Sequence, residues 1–310
     1  MTIEEQNRSS QDAPSTMTVA VIGLGIMGGP MAANLVKAGY DVIGYNRGRV
    51  RVDALVARGG RAARDVASAV AGADVVLTML PDSPDVEDVV LGRDGVLAHI
   101  RPRGLWIDTS TIRPDVAVRL AAAAGERAVR AVDAPVSGGE AGAIDASLSI
   151  MVGGVAADVE AARPVLDAVG STVVHVGPAG SGQTVKAANQ LIVAGTIELV
   201  AEALVFLDAH GVDAEAAVRV LAGGLAGNRI LDRKAAGMIA GEYTPGFRVD
   251  LHHKDLGIVT AAAREAGVAI PLGAAVAQLM GALRARGHGS LDHSALRLLV
   301  EELSGRTRRT

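Results

Sequence analysis

Val21-Ile22-Gly23-Leu24-Gly25-Ile26-Met27-Gly28 sets three glycines in the spacing G-x-G-x-x-G at the end of a short apolar run. A helical pattern from Pro30 to Ala38 follows directly. This order of strand, glycine turn and helix is typical of a βαβ unit that binds a dinucleotide. In such a unit Gly23 permits the tight turn, Gly25 lets the backbone approach the pyrophosphate, and Gly28 allows the helix to pack closely on the strand. A glycine turn that binds no nucleotide is the weaker interpretation.

Apolar runs alternate with helical segments as far as residue 177. Alternation of this kind indicates a mostly parallel sheet with helices on its faces. The strand pattern stops after Gly177-Pro178, and Thr184 to Ala209 reads as one long helix whose apolar residues lie on more than one face, which is typical of a buried helix. The sequence therefore predicts an α/β fold, a Rossmann-like doubly wound sheet followed by an all-α C-terminal domain. Strands are predicted at 19–22, 41–45, 73–80, 104–108, 131–134, 148–152 and 172–176.

The chain is long enough for two domains. Its 310 residues exceed the size at which a single hydrophobic core usually stops growing. We expect a disordered tail at 1–16, a Rossmann domain at 17–179 and a helical domain at 180–310. The first segment is polar and lacks the apolar stretch of a signal peptide.

Composition argues against several classes of protein. A net charge of −4 gives no general attraction to nucleic acid, and the absence of cysteine excludes disulfides, thiolate catalysis and Cys-ligated metals. No uninterrupted apolar run reaches the roughly 20 residues that span a bilayer, since Glu198, Glu202 and Asp208 break the longest one. We therefore expect a soluble, cytoplasmic protein without nucleic-acid or membrane partners. No metal site is expected either, because the adjacent His252 and His253 point in different directions on a helix.

The end of the second predicted strand bears on the choice of nicotinamide cofactor. An acidic residue about 20 positions beyond the first glycine normally holds the ribose 2′-hydroxyl of NAD. This chain has Asn46-Arg47-Gly48-Arg49 there. Because no carboxylate repels a 2′-phosphate and Arg47 can pair with one, NADP(H) is favoured over NAD(H). The alternative is that these arginines are ordinary solvated surface charges.

Two further segments carry side chains for chemistry. Asp133 to Glu140 ends a strand in a glycine-rich loop, whose successive N–H groups and Ser137 hydroxyl form a nest for a carboxylate. Gly180 to Asn189 opens the long helix and puts Lys186 and Asn189 one turn apart on the same face. Desolvation and the positive end of the helix would lower the pKa of Lys186 towards neutrality, where an ammonium group is a useful acid. Taken alone, a lysine in such a helix is more often a surface residue.

Four ordered motifs resemble those of the β-hydroxyacid dehydrogenase family. They are Val21 to Gly28, Asp133 to Gly139, the Gly-x-x-x-Lys-x-x-Asn run from Gly182 to Asn189, and Phe247 with Leu251 and Lys254-Asp255-Leu256. The match spans nearly everything from Thr18 to the C-terminal helix. Within the family, the chain most resembles the tartronate semialdehyde reductases, through Met79 to Pro84, Gly223 to Gly227, Pro245 to His252 and Asp292 to Leu296.

The resemblance implies an active site in the cleft between the two domains, and homodimers or homotetramers formed through the helical part. It also implies reduction of a small carboxylate-bearing semialdehyde to a hydroxy acid, foremost of tartronate semialdehyde to glycerate. The resemblance also implies that Lys186 is the catalytic acid/base and that the substrate is bound by Ser137, Gly138, Gly139 and Asn189. Beside the cofactor the resemblance places Leu80, Pro81, Thr111 and Lys254, which join Gly23, Leu24, Gly25, Ile26, Met27, Gly28, Asn46 and Arg47 as expected cofactor-binding residues.

Several related activities remain open. The similar reductases often carry Asp where Asn46 stands, so NAD use is not simply inherited. 3-Hydroxyisobutyrate dehydrogenase and succinic or glyoxylate semialdehyde reductases share every catalytic motif named above, whereas imine reductases typically lack the catalytic lysine. A catalytically silent dinucleotide-binding module is the alternative from another class, and the joint presence of Ser137, Lys186 and Asn189 argues against it.

Overall fold

The structure of the chain is a computed structural model that describes residues 17–306. The expected disordered tail at 1–16 lies outside the described residues. Within them, every named strand lies before residue 178, and the part from residue 181 onward is built of helices. The Rossmann-like sheet and the all-α C-terminal part predicted from the sequence are thereby confirmed.

The described part of the chain contains a nine-stranded sheet. Its strands are β1 Thr18–Ile22, β2 Asp41–Tyr45, β3 Arg61–Ala62, β4 Val75–Thr78, β5 Leu105–Asp108, β6 Arg130–Asp133, β7 Val136–Ser137, β8 Leu148–Gly154 and β9 Gly170–Gly177. Six run parallel in the order β3-β2-β1-β4-β5-β6, which is the strand order of a dinucleotide-binding sheet. β8 then pairs antiparallel with β6 and β7, and parallel with β9.

Seven of these strands overlap the predicted runs. β3 and β7 were not predicted, because two residues are too few to show an alternating pattern. The predicted strand at 73–80 is shorter in the structure, where only Val75–Thr78 pair with both neighbours.

Helices cover both faces of the sheet. They are α1 Gly28–Lys37, α2 Arg49–Val56, α3 Val66–Val70, α4 Ser83–Leu91, α5 Val96–His99, α6 Pro114–Glu126, α7 Gly139–Ile144 and α8 Ala156–Asp167. β1 shows why its sequence is apolar throughout: Val19 and Val21 enter one core, while Ala20 and Ile22 enter the core on the opposite face. Successive side chains of a strand point to opposite faces, so a sheet covered on both sides needs an uninterrupted apolar run.

The C-terminal part surrounds one long helix. Its helices are α9 Ser181–Ala209, α10 Ala214–Ala222, α11 Arg229–Ala240, α12 Val249–Glu265, α13 Pro271–Leu283 and α14 Leu296–Leu303. α9 packs against α11, α12, α13 and α14, and its beginning also contacts β8. These contacts show that α9 joins the helical part to the sheet. The helix begins at Ser181, about one turn before the predicted start at Thr184.

By length and composition alone α9 could cross a membrane, since an 18-residue window of it has a mean hydropathy of 1.9. The packing of the helix identifies it as a core helix instead. Six helices lie against it, namely α6 and α10 to α14. It also carries polar side chains into the interior, namely Gln183, Lys186, Gln190 and Glu198.

Candidate active site

The glycine loop joins β1 to α1 where β1 has β2 on one side and β4 on the other. Ligands of open α/β sheets bind at such a switch point. Gly23 has a φ of +97°, and a Cβ there would lie 2.3 Å from the carbonyl oxygen of Met79. A Cβ on Gly28 would lie 2.0 Å from the carbonyl oxygen of Gly23, whereas the same position on Gly25 has no heavy atom within 4 Å. Two glycines are thus required by the protein's own backbone, and the third leaves open space that fits an approaching pyrophosphate.

Asn46 and Arg47 follow β2 at the edge of this loop. The Asn46 side chain accepts a hydrogen bond from the Leu24 N–H at 3.1 Å and donates to the Gly48 carbonyl at 3.1 Å. It therefore braces the glycine loop against the turn after β2. The Arg47 side chain is 83% exposed, and its Nη2 lies 4.0 Å from Asp85 Oδ1. An exposed ion pair of this length is weak, so the guanidinium can turn towards a ligand at this edge.

The loops after β4 and β5 lie beside the glycine loop. Leu80 Cδ2 lies 3.1 Å from the position that a Gly23 Cβ would take. The Leu80 N–H donates to Ser110 Oγ at 2.9 Å, which ties the two loops together. From the helical part, Lys254 reaches across and donates its Nζ to the Thr111 carbonyl at 2.7 Å. The structure thus brings Leu80, Thr111 and Lys254 to one edge of the sheet.

Lys186 is buried near the beginning of α9, and its Nζ donates to the carbonyl oxygen of Val136 at 2.7 Å. Burial lowers the pKa of Lys186 to about 8. The carboxylate of Asp255 opposes this change, and the positive charge of Lys254 adds to it. The sequence predicted that the positive end of the helix would also lower the pKa of Lys186. In the structure the charge that lowers this pKa, in addition to burial, is the Lys254 ammonium. An ammonium group with this pKa is mostly protonated at neutral pH and can release its proton.

Ser137 and Asn189 lie next to this lysine. Ser137 Oγ donates to Asn189 Oδ1 at 3.2 Å, so the end of β7 and the third turn of α9 are in direct contact. Gly138 and Gly139 have φ values of 144° and 67°, which glycine adopts far more readily than other residues. No heavy atom lies within 4 Å of the position of a Cβ on Gly139, so the loop presents open space there.

Asp133 anchors the start of α9, a function that the sequence reading did not assign. Its Oδ1 accepts from the Gly180 N–H at 2.7 Å and its Oδ2 from the Gln183 N–H at 2.9 Å. These bonds satisfy two backbone donors at the beginning of the helix, which have no partner within the helix itself. The first turn of α9 is therefore fixed to the end of β6, and this places Lys186 over β7. Burial raises the pKa of the Asp133 carboxyl.

Two glutamines extend this polar face of α9. Gln183 accepts from the Ile112 N–H at 3.0 Å and donates to the Ser110 carbonyl at 2.8 Å. Gln190 accepts from Asn189 Nδ2 at 2.8 Å and donates to Asp255 Oδ2. The signal was present in the sequence, because residues 183, 186 and 190 recur at helical spacing and so lie on one face of the helix.

Asp255 closes the group on the side of α12. Its Oδ1 lies 2.7 Å from Lys254 Nζ, and its Oδ2 accepts from Gln190. Both Lys254 and Asp255 are largely buried. The carboxylate thus joins Lys254, which reaches the edge of the sheet, to the polar face of α9 that carries Lys186.

Among residues 17–306, no three His, Asp or Glu side chains are arranged to hold a metal ion. His252 points into the protein and is fully buried, while His253 is half-buried on another face of α12.

Comparison with known proteins agrees with this arrangement. Residues 18–177 match the family model of the NAD binding domain of 6-phosphogluconate dehydrogenase, and residues 180–300 match that described as NAD-binding of NADP-dependent 3-hydroxyisobutyrate dehydrogenase. An NAD-dependent L-serine dehydrogenase of Pseudomonas aeruginosa is 40% identical over 294 residues, which cover 93% of this chain and 99% of the relative. The chain belongs to the β-hydroxyacid dehydrogenase family.

Two more similar proteins fit the same family. The 2-hydroxy-3-oxopropionate reductase of Escherichia coli is 39% identical over 280 residues, 90% of this β-hydroxyacid dehydrogenase and 96% of the relative. A solved structure of 3-hydroxyisobutyrate dehydrogenase from Mycobacterium tuberculosis with L-serine is 36% identical, covers 92% of this chain and 99% of its own, and has a TM-score of 0.83. The chain is therefore a nicotinamide-dependent oxidoreductase that acts on CH–OH groups of small substrates, and the silent binding module is set aside.

Proposed function

We propose that this β-hydroxyacid dehydrogenase reduces a small carboxylate-bearing semialdehyde, foremost tartronate semialdehyde to glycerate, with NADPH as the cofactor. The observation that carries the proposal is the buried Lys186 ammonium, which lies against the loop of Ser137 and one turn from Asn189. The 39% identity to a 2-hydroxy-3-oxopropionate reductase supports the choice of substrate. In this proposal residues 17–179 hold the cofactor, and residues 180–310 complete the substrate pocket.

The chain's own residues bind the substrate and move its proton. Backbone N–H groups at Ser137 to Gly139 and the Asn189 amide bind the substrate carboxylate and orient the aldehyde oxygen towards Lys186. Nicotinamide, when bound, supplies the hydride that the aldehyde carbon accepts. The Lys186 ammonium stabilises the negative charge that develops on the aldehyde oxygen and gives it a proton, which combines electrostatic and general-acid catalysis. Lys254 holds α12 at the cofactor edge through the Thr111 carbonyl.

The cofactor preference rests on the turn after β2. Asn46 is neutral, and its side chain already bonds to the Leu24 N–H and the Gly48 carbonyl. Arg47 is exposed and bound only weakly to Asp85, so its guanidinium is available to a 2′-phosphate. These two residues support NADPH over NADH, although a relative of this chain is named as NAD-dependent.

A panel of substrates tests the proposal. Oxidation of NADPH and NADH is followed with tartronate semialdehyde, methylmalonate semialdehyde and succinic semialdehyde, and the reverse reaction with glycerate, 3-hydroxyisobutyrate and L-serine. We expect the highest kcat/KM for tartronate semialdehyde with NADPH. Lys186→Ala should lose turnover by about three orders of magnitude, in line with the loss of a catalytic acid, while NADPH binding stays near that of the native chain. Lys37→Ala, on the exposed end of α1, is the matched control.

Each outcome of the panel decides something. A higher kcat/KM for another semialdehyde overturns the substrate but keeps the acid role of Lys186. Near-native turnover of Lys186→Ala overturns the mechanism. Oxidation of L-serine in preference to every other hydroxy acid would favour the second candidate, a serine dehydrogenase, which the identity to the P. aeruginosa enzyme supports.

The proposed enzyme is a homodimer or homotetramer that assembles through α9. The exposed face of this helix repeats an apolar side chain every seven residues, and exposure reaches 67% at Ile192, 64% at Leu199 and 63% at Phe206, with Val185 at the beginning of the same row. A seven-residue repeat is the pattern of a helix that pairs with another helix. An antiparallel second copy, related by a two-fold axis beside Gly195, pairs Ile192 with Leu199 and Val185 with Phe206. The row is therefore complementary to itself, as a two-fold interface requires.

Light scattering tests this interface. Leu199→Asp should give monomers at concentrations where the native chain is at least a dimer, because the two-fold places a charge against an apolar partner residue. Val50→Asp, at an 82% exposed position on α2, is the control and should leave the mass unchanged. A native chain that is monomeric, or a Leu199→Asp chain that keeps its mass, would show that α9 is not the interface.

The compartment proposed for the enzyme is the cytoplasm, since a chain without cysteine suits a reducing environment.

A further inference from the structure

Two buried histidines meet beside the site without belonging to it. His252 lies on α12 with none of its surface exposed, and His293, in the short helical turn His293–Ala295 before α14, is 5% exposed. Their Nδ1 atoms are 2.9 Å apart. The Nε2 of His252 lies 3.4 Å from the carbonyl oxygen of Gln190 on α9. The pair therefore joins α9, α12 and the C-terminal turn at one point.

The protons of this pair follow from its geometry. The Gln190 carbonyl can only accept, so His252 Nε2 carries the hydrogen, and a neutral imidazole has only one. His252 Nδ1 is then bare and accepts from the Nδ1–H of His293. A second proton on His252 Nδ1 would face the hydrogen of His293 and break the bond. His252 must therefore be neutral for the contact to hold, and His293 must keep the hydrogen on its Nδ1.

Burial favours the neutral form of both rings, although the nearby carboxylates favour the charged form. Burial lowers the pKa of His252 to about 4 and holds the pKa of His293 well below its usual value. For His252 the carboxylate of Asp255 opposes burial and the charge of Lys186 adds to it. For His293 the carboxylate of Asp292 opposes burial and the nearby His252 adds to it. At neutral pH the pair therefore stays uncharged.

The turn that carries His293 is itself held firmly. Asp292 accepts from Lys234 Nζ at 2.9 and 2.8 Å through its two oxygens, from the Gly246 N–H at 2.9 Å, and from the hydroxyl of Ser294 at 2.7 Å. The ring of Phe247 lies edge-on to both imidazoles at 5.6 Å. These contacts hold His293 in place, so its hydrogen bond to His252 can fix the position of α12.

The contact lies one step from the proposed machinery. His252 and Asp255 are three residues apart on α12, so both face α9. His252 meets the Gln190 backbone, and Asp255 meets the Gln190 side chain. The same carboxylate holds Lys254 and raises the pKa of Lys186. A shift of α12 relative to α9 would therefore change the distance between Asp255 and both lysines.

We propose that the His252–His293 hydrogen bond is a positioning device that sets α12 on α9, so that Asp255 stays in place between Gln190 and Lys254. The inference rests on the proposed function of Lys186 as an acid. His252 and His293 are positioning residues, because they are proposed to act through the placement of Asp255.

Replacement of His293 tests the device on the full chain. His293→Leu removes the donor, whereas His293→Asn puts an amide N–H close to the position of Nδ1. In His293→Leu we expect a roughly tenfold fall in kcat, with the KM for NADPH within about twofold. The alkaline limb of the kcat profile should also move to lower pH, since Asp255 no longer keeps the pKa of Lys186 up. His293→Asn should restore both quantities, and His99→Leu, on α5, is the control that leaves them unchanged.

Two further readouts separate this proposal from the proposed function. Chemical labelling of Lys186 with an acylating reagent, followed by mass spectrometry across pH, reports its pKa without any turnover. Nitrogen NMR of labelled histidines should show the Nε2–H form of His252 and the Nδ1–H form of His293. If no semialdehyde is reduced but labelling of Lys186 shifts in His293→Leu, the substrate proposal fails and the device stands. A His293→Leu chain that melts earlier yet keeps the pKa of Lys186 assigns the pair a purely structural role and overturns the inference.

Discussion

The pH dependence of aldehyde reduction follows from the environment of Lys186. Burial places the pKa of this ammonium at about 8, and only the protonated form can give a proton to the substrate oxygen. Reduction should therefore be constant near neutral pH and decline as pH rises through 8. One unit above the pKa, about one molecule in ten is still protonated, so kcat/KM at pH 9 should be roughly tenfold below the plateau. A lysine with its ordinary pKa of 10.5 would show almost no change over this range.

Removing the charge of Asp255 and removing the charge of Lys254 should shift this decline in rate at alkaline pH in opposite directions. Asp255 raises the pKa of Lys186 and Lys254 lowers it. Asp255→Asn should therefore shift the limb to lower pH, and Lys254→Met should shift it to higher pH, whatever either change does to the plateau. Lys37→Met removes a positive charge from the exposed end of α1 and should leave the limb in place.

The assay is the initial rate of NADPH oxidation with the best semialdehyde of the panel, from pH 6 to pH 10. Ionic strength is held constant, and the stability of the aldehyde is checked at each pH. A flat profile up to pH 10 would show that Lys186 is not the titrating acid. Shifts of the same sign in Asp255→Asn and Lys254→Met would refute the electrostatic reasoning even if the limb itself lies near pH 8.

Three further predictions concern the cofactor loop and a buried carboxyl. Gly25→Ala should keep the melting temperature, because nothing lies within 4 Å of its added Cβ, but should weaken NADPH binding at least tenfold in a fluorescence titration. Gly28→Ala, whose Cβ would lie 2.0 Å from the Gly23 carbonyl oxygen, should lower the melting temperature as well. Equal melting temperatures of the two variants would contradict this distinction. Arg47→Asp should shift the ratio of kcat/KM values from NADPH towards NADH, and an unmoved ratio means that Arg47 does not contact the 2′-phosphate. Burial raises the pKa of Glu198 to about 7, so its ionisation destabilises the fold as pH rises from about 4.5 to 7. Glu198→Gln should therefore raise the melting temperature more at pH 8 than at pH 5. An equal change in melting temperature at the two pH values rules out ionisation as the cause.

The sequence predicts where most polar residues of the site lie along the helices and loops, but it does not predict which groups they contact. Lys186 and Asn189 were placed on one helical face by spacing, and Ser137 by its glycine loop. What they touch was not accessible, because Lys186 Nζ meets a carbonyl 50 positions earlier in the chain. The same holds for Asp133, which lies in a predicted motif but whose carboxylate meets the backbone of Gly180 and Gln183.

Local patterns in the sequence were enough to predict most of the helices and strands and their order. Glycine spacing and the alternation of apolar residues are local properties, since strand and helix periodicity appear within a few residues. They were sufficient for β1, the glycine loop, α1 and most of the sheet. Even so, the mean hydropathy of α9 does not distinguish a core helix from a membrane helix. The distinction comes from its packing against six other helices and from its buried polar side chains.

The electrostatics of the site depend on the tertiary structure. The pKa of Lys186 depends on how completely the fold removes it from water and on Lys254 and Asp255, which come from a helix more than 60 residues further along the chain. The meeting of His252 with His293 depends on a turn 41 positions away. Burial and charge separation are properties of distances in space, and no periodicity along the chain encodes them.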